Sequence, residues 1–514
     1  MFRRYGLSKR GAHRGLRCGA TLTCALLLLG CSPPLEDLHL RVLTTHDIHG
    51  ALAPAAYPWT DGRPVGGLAT LMTLMDAAEA ECECPTIRLD GGDQMQGTLP
   101  SNLTYGRSVV DGMNLLGIDA AAVGNHELDW GVDTLQTRQG EARYPWLAAN
   151  VVDSNTDLSP GWTRPWAILE EDGVRVGVVG YITATTPDIV MASIVAPYRF
   201  VPGEAGVRAA LDAVRSERPD FVVIVAHAAG DCETACRGEM VDLAAELDPG
   251  EVHLIVGGHR HAPGFGVVND IPIIRAGSSG RAVGILDLYR DADGSRRFEM
   301  RVDTAWADSI APAPEMVAVL EPHFQRADSL AGLTLATLED PLPRSRGEYA
   351  LGRLVADAVR AVARAQVSVS NRGGVRAGLD AGPVTYGELF QVKPFGNKVY
   401  LLDVTGVVLR QVVEVAVVRP DFMSGITAEY DADAPEGRRV RSLTLEDGTP
   451  VTPEGRYTLA TSNFISEGQD GYQILARLAS EPVGTTVLDA LIAHIGSLPA
   501  PLEGPQNPRL RSLR

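Results

Sequence analysis

Five times in the first 300 residues an apolar, strand-like run stops and a His, Asp or Asn follows at once. LRVLTT (40–45) runs into His46, Asp47, Ile48 and His49, and TIRLD (86–90) into Gly91, Gly92 and Asp93. AAAV (120–123) runs into Gly124, Asn125 and His126, FVVIVA (221–226) into His227, and VHLIVG (252–257) into Gly258, His259, Arg260 and His261. Short β-branched runs bounded by turn residues read as strands. The segments 107–117 and 205–217 have helical periodicity and lie between them. Strands alternating with helices give an α/β fold, and open α/β sheets build their sites at the carboxyl ends of the strands.

The residues gathered at that edge share one chemistry. Asp47, His49, Asp93, Asn125, His227, His259 and His261 are hard or borderline ligands for divalent cations. A single His among them would more often be a packed core imidazole. Six of the chain's eleven His at strand ends, with two Asp and one Asn, is a different pattern. Seven ligands exceed one four-coordinate ion and suit two ions sharing a carboxylate. Asn125 adds coordination without adding negative charge that would repel a phosphate. His39, His253, His323 and His494 lack this setting and read as structural.

The chain has 514 residues and a net charge of −18, long enough for two or three domains. Six basic residues, no acids and a short apolar run precede Leu28, Leu29, Gly30 and Cys31. That is the pattern of a lipoprotein signal, 1–30, with Cys31 carrying lipid and 31–37 as a tether. Ser32 leans toward outer-membrane sorting of a periplasmic or envelope protein. Removing 1–30 takes the charge from −18 to −24, which disfavours polymeric nucleic acid as a partner. No later segment is apolar enough to span a membrane, so the lipid is the expected membrane contact. Cys82, Cys84, Cys232 and Cys236 remain, an even set that suggests two disulfides with three possible pairings. Their spacing fits a four-Cys zinc site poorly.

Beyond about residue 305 the pattern changes. Residues 306–341 hold several Pro and an amphipathic stretch interrupted by Pro322, a connecting helix or hinge. In 342–514 three pieces stand out. These are a helical segment from Leu351, VSVSNRGGVRAG (367–378) with Asn371 and Arg376, and TLATSNFISEGQDGY (458–472) with Phe464 and Asp470. Arg beside Asn at a turn suits an anion with a polar edge. An aromatic ring with an acid nearby suits a base and ribose hydroxyls.

Taken in order, D-x-H, G-D, G-N-H-E, a lone His and G-G-H-x-H resemble the calcineurin-type metallophosphoesterases. With NRGGVR, PFGN (394–397) and FISEGQDGY, the chain is similar to the exported bacterial 5′-nucleotidase family. That family includes UDP-sugar hydrolases and 2′,3′-cyclic-nucleotide phosphodiesterases. The resemblance implies a four-layer α/β/β/α metallophosphoesterase sandwich over 38–305, joined by a helix to a C-terminal α/β substrate-binding domain. It implies one divalent metal (Mn, Zn, Mg or similar) on Asp47, His49, Asp93 and His261, and a second on Asp93, Asn125, His227 and His259. His126, paired with Asp129, would face the substrate phosphate. Arg346, Asn371, Arg376, Phe422, Phe464 and Asp470 would hold a nucleotide. Arg372 and Gln469 replace glycines of the pattern, and Arg372 would add a cation near the pocket. The expected activity is hydrolysis of nucleotide phosphate monoesters. The alternatives are a cyclic-nucleotide phosphodiesterase with 3′-nucleotidase activity, a UDP-sugar hydrolase, a sulfur-ester hydrolase, or a non-catalytic nucleotide-binding lipoprotein.

Overall fold

The computed structural model describes residues 37–232 and 235–513. The signal segment and Cys31 lie outside them. Two six-stranded sheets form the N-terminal half. The first runs Arg296–Thr304, Ala282–Arg290, Leu38–Thr45, Thr86–Asp90, Ala120–Ala122, Trp146–Leu147. The second runs Gly264–Val268, Ile271–Arg275, Leu254–Gly257, Phe221–His227, Val174–Ile182, Trp166–Glu171.

Alternation along each strand builds the layers. Leu40, Val42, Ile87 and Leu89 of the first sheet pack against Val176, Val178, Val223 and Val225 of the second. The opposite faces are covered by helices. Leu68–Ala80 and Arg107–Leu115 lie on the first sheet, Gly203–Ser216 and Glu239–Glu246 on the second. This is the α/β/β/α sandwich. Each enclosed Val or Leu contributes about 1.5–3 kcal/mol of burial.

Within each sheet the strands that carry candidate ligands run parallel to one another. Strand 38–45 pairs with 86–90, and 221–227 with both 254–257 and 174–182. Their carboxyl ends therefore meet at one edge.

Helix Pro314–Ala331 joins the halves. The sequence suggested an interruption at Pro322; the structure shows one continuous helix through it, one amide donor short. Met316 and Leu320 enter the N-terminal core and Ala327 the C-terminal one. The C-terminal domain holds a five-stranded sheet, Phe422–Ser424, Val367–Ser370, Arg456–Ser462, Lys398–Thr405, Ser480–Thr486. Helix Ala350–Ala363 packs on it with Val487–Ser497. The cysteines pair as neighbours, Cys82 with Cys84 and Cys232 with Cys236. Among the described residues no helix is long and apolar enough to cross a membrane.

Candidate metal centre and active site

All seven candidate ligands come together at the strand ends. Two triangles of ligand atoms form there, Asp47 with His49 and His261, and Asp93 with His227 and His259. In the first, Asp47 Oδ1 is 3.5 Å from His49 Nε2 and 3.6 Å from His261 Nε2, and the two nitrogens are 3.2 Å apart. In the second, His227 Nε2 is 3.1 Å from Asp93 Oδ2 and 3.2 Å from His259 Nδ1. Asn125 Oδ1 is 3.1 Å from the same His259 nitrogen. Asp93 Oδ2 also lies 3.8 Å from His49 Nε2, so one carboxylate faces both triangles.

Three features fit these triangles to cations. His49 Nδ1 donates to the Gln96 carbonyl at 2.9 Å and His227 Nδ1 to the Gly91 carbonyl at 2.8 Å. In its neutral form each ring thus turns a bare Nε2 inward, the tautomer a metal requires. The His49 and His261 Nε2 atoms, 3.2 Å apart, are held together by a shared proton or by a cation between them. Asp47 Oδ1 is buried with no hydrogen-bond partner among the described residues. A buried, unsatisfied carboxylate oxygen costs several kcal/mol, and a cation removes that cost.

The backbone is bent to deliver these atoms. Asp47, His49, Asp93 and His259 have φ of 48°, 49°, 57° and 70°, the left-handed region that non-glycine residues avoid. Such strain gathers at functional sites. Gly124 shows how close the packing is, since a Cβ there would stand 2.2 Å from Asp93 Oδ1.

A further shell was not assigned a role from sequence. Glu127 is buried and accepts the backbone N–H groups of Asp93, Gln94 and Gly124, each at 2.8 Å. Asp90 accepts Thr45 Oγ1 at 2.6 Å and Gly92 N–H at 2.9 Å, and burial pushes its carboxyl up to about 7. His46 donates through Nδ1 to Asp47 Oδ2 at 2.5 Å and accepts Gly277 N–H at 2.7 Å. A buried acid in G-N-H-E was the available signal for Glu127.

His126 stands beside the triangles. Its Nδ1 is held by Asp129 Oδ2 at 2.7 Å and its backbone N–H donates to Asp93 Oδ1 at 2.8 Å. Burial opposes its protonation, but the charges of Asp129 and Asp93 outweigh it and raise its pKa to about 9. Phe395 of the C-terminal domain stacks on it, ring centres 5.8 Å apart. The Arg376 guanidinium lies 5.5 Å over that same Phe395 ring. The loop is tied across the domains by Asn102 Nδ2 donating to Pro394 O at 2.7 Å. Ser193 N–H and Oγ donate to Glu467 at 3.0 and 2.9 Å, and Gln469 donates to Val190 O.

In the facing pocket, Asn371 Nδ2 donates to Asp470 Oδ2 at 2.8 Å, and Arg419 pairs with the other oxygen of Asp470. Phe464 is half-buried and packs against the hydrophobic core of this domain. Three positions differ from the sequence reading. Phe422 is fully enclosed, packed against Gly352 and edge-on to Tyr349 at 4.7 Å, so it is core and not a wall for a base. Arg344, whose Nη1 donates to Arg376 O at 3.3 Å, takes the place beside Arg376, while Arg346 is exposed with no partner among the described residues. Arg372 donates its guanidinium to the Gly347 and Ser345 carbonyls and lies over the Tyr349 ring at 5.2 Å, so its charge is held at that loop. Lys393, next to PFGN, was missed: it is buried behind Arg376, and burial with that charge lowers its pKa to about 7.

Known proteins resemble this chain along most of its length. The family described as "5′-nucleotidase, C-terminal domain" matches residues 334–477. The 5′-nucleotidase of Vibrio parahaemolyticus is 27% identical over 88% of this chain and 89% of its own. The crystal structure of a 5′-nucleotidase precursor from Thermus thermophilus superposes with a TM-score of 0.79 at 26% identity, covering 93% of this chain and 99% of that one. The chain is similar to 5′-nucleotidases over nearly its whole length, and residues 334–477 carry the matching C-terminal domain. These relatives are phosphoester hydrolases of the calcineurin-like superfamily. A Bacillus subtilis protein named endonuclease YhcR is also 27% identical over 93% of this chain, which spans only 41% of that relative's length.

Proposed function

We propose that the chain is an exported, lipid-anchored hydrolase of nucleotide phosphate monoesters that works with two divalent cations. Asp47, His49, Asp93 and His261 would hold one, and Asp93, Asn125, His227 and His259 the other. The observation that carries this reading is the pair of ligand triangles meeting at Asp93 Oδ2, 3.1 Å from one and 3.8 Å from the other. Bound there, the cations supply Lewis acidity and a water acidified enough to attack at neutral pH.

The chain's own groups do the rest. His126, charged and oriented by Asp129, balances the negative charge that builds on the phosphoryl oxygens. Arg376 and Arg344 bring positive charge to the same cleft from the other domain. Phe464 offers a face to the base, while Asn371 and Asp470 offer polar edges to the nucleoside. Phe395 closes over His126 and keeps water from the reacting centre.

The test is a substrate panel after chelation and reloading with Mn or Zn: AMP, 3′-AMP, 2′,3′-cyclic AMP, ATP and UDP-glucose. Turnover is expected to be highest on AMP and to vanish without metal. A profile led by cyclic or 3′ compounds would assign the phosphodiesterase reading instead. Full metal loading with no turnover on any of the five would end the nucleotide reading.

A further inference from the structure

A third cluster of metal-ligating side chains lies at the far end of strand 38–45, about 20 Å from the triangles described above. It contains His39, Cys82, Cys84 and Asp287, whose ligand atoms all lie within 4.8 Å of one another. We infer that His39, Cys82 and Cys84 form a separate thiolate–imidazole site for one zinc-like cation, closed while Cys82 and Cys84 are bonded and opened by their reduction.

His39 is already set as a ligand. Its ring stacks on Tyr289 at 4.2 Å, its register partner on the neighbouring strand. Its Nε2 donates to Asp287 Oδ1 at 2.9 Å. Asp287 is itself held by Arg41, with Nε and Nη2 each 2.9 Å away. A carboxylate on one imidazole nitrogen fixes the tautomer and leaves the other nitrogen bare, as around protein-bound zinc. The bare Nδ1 is 3.6 Å from Cys82 Sγ, and Cys84 Sγ is 3.7 Å from Nε2 of the ring. Zinc with Zn–S about 2.3 Å and Zn–N about 2.0–2.1 Å at tetrahedral angles needs S···N of about 3.6 Å. Cys82 Sγ therefore already stands at ligand spacing from Nδ1, while the Cys84 sulfur, now beside Nε2, must swing toward Nδ1 once the S–S bond is broken. Cys82 and Cys84 are half-buried in the short turn between helix 68–80 and strand 86–90, within reach of solvent. The second disulfide is a built-in contrast. Among the described residues, no cluster of metal-ligating side chains includes Cys232 or Cys236.

The chemistry balances with a dithiol as reductant. One of its thiolates attacks a sulfur of the pair, the S–S bond breaks, and its second thiol resolves the mixed disulfide. Two electrons and two protons pass to Cys82 and Cys84, and the reductant leaves as its own disulfide. The cation then displaces both thiol protons and binds two thiolates with neutral His39.

The test compares zinc bound per full-length chain, after gel filtration, before and after anaerobic dithiol treatment. The catalytic centre binds in both states and cancels in the difference. One additional equivalent is expected on reduction, retained in Cys232→Ser/Cys236→Ser and lost in Cys82→Ser/Cys84→Ser. With cobalt in place of zinc, the reduced chain gains a sulfur-to-metal charge-transfer absorption with the same pattern. In the reduced wild type, zinc should also slow alkylation of Cys82 and Cys84 at least tenfold relative to the other pair, read by mass spectrometry with no substitution needed. No extra equivalent, or an extra equivalent that survives in Cys82→Ser/Cys84→Ser, overturns the site.

Discussion

The two faces of the cleft are built on different plans. On the N-terminal side, seven ligands leave parallel strands within a few residues of the last sheet hydrogen bond. Buried acids there are matched by nearby His or by backbone donors. On the C-terminal side, the pocket is made by loops of variable length, and cations outnumber acids: Arg344, Arg376, Lys393 and Arg419 against Asp470 and Asp421. A sheet edge fixes where a ligand must stand. A loop fixes only that some residue of the right kind stands nearby.

The sharpest way to break that contrast is Phe422. If it is core, Phe422→Ala costs about 3–5 kcal/mol of stability and leaves KM within twofold in the folded fraction. Phe464→Ala should do the reverse, raising KM for nucleotides with a small shift in melting temperature. Thermal melts and kinetics on both variants decide it. A tenfold KM effect of Phe422→Ala with unchanged melting would return Phe422 to the pocket.

On the other face, His126→Ala is expected to keep both metals and lower kcat about 10²–10³-fold, the usual loss for one preorganised donor at a developing charge. Metal analysis beside kinetics checks it. Loss of metal in this variant would make His126 part of the metal cluster and erase its separate role.

These two expectations show how much of the molecule was legible in its sequence. Strands 40–45, 86–90 and 221–226 were readable because β-branched runs stop at turn residues, and parallel pairing then brings their ends together. The ligands followed, since His or Asp directly after a strand has few places to go. Glu127 and Asp90 were harder, because an acid that accepts backbone N–H groups leaves no periodic trace. Arg346 and Arg344 are two residues apart in a segment without regular structure, so spacing alone could not choose between them. Phe422 was misread because it begins a short strand that is buried on both faces, which a loop-like sequence does not announce.

The arginine pair gives a smaller, sharper comparison. Arg344→Ala should raise KM about tenfold or more, the worth of one charged hydrogen bond or ion pair to phosphate. Arg346→Ala should change it less than twofold. Equal effects would mean that the cleft reads net charge and not position.

Lys393 tests the imbalance of cations directly. Its pKa is lowered to about 7 by burial and then by Arg376, against 10.5 in an open chain. Below pH 7 both native and unfolded chains carry the proton, so Lys393 adds no slope to stability. Between pH 7 and 10.5 the unfolded chain keeps the proton and the native one does not, so stability rises with pH. The buried charge therefore weighs most on the fold at low pH, by a few kcal/mol at most. Lys393→Met removes that burden. The variant should melt above the wild type at pH 6, and the gap should narrow steadily toward pH 10. Its KM for nucleotides should lose a rise that the wild type shows as pH passes 7, because only the protonated amine adds to the field of Arg376. A melting gap that stays constant from pH 6 to 10 would mean that Lys393 is charged throughout, with an anionic partner inside the cleft, and that the two faces are balanced alike after all.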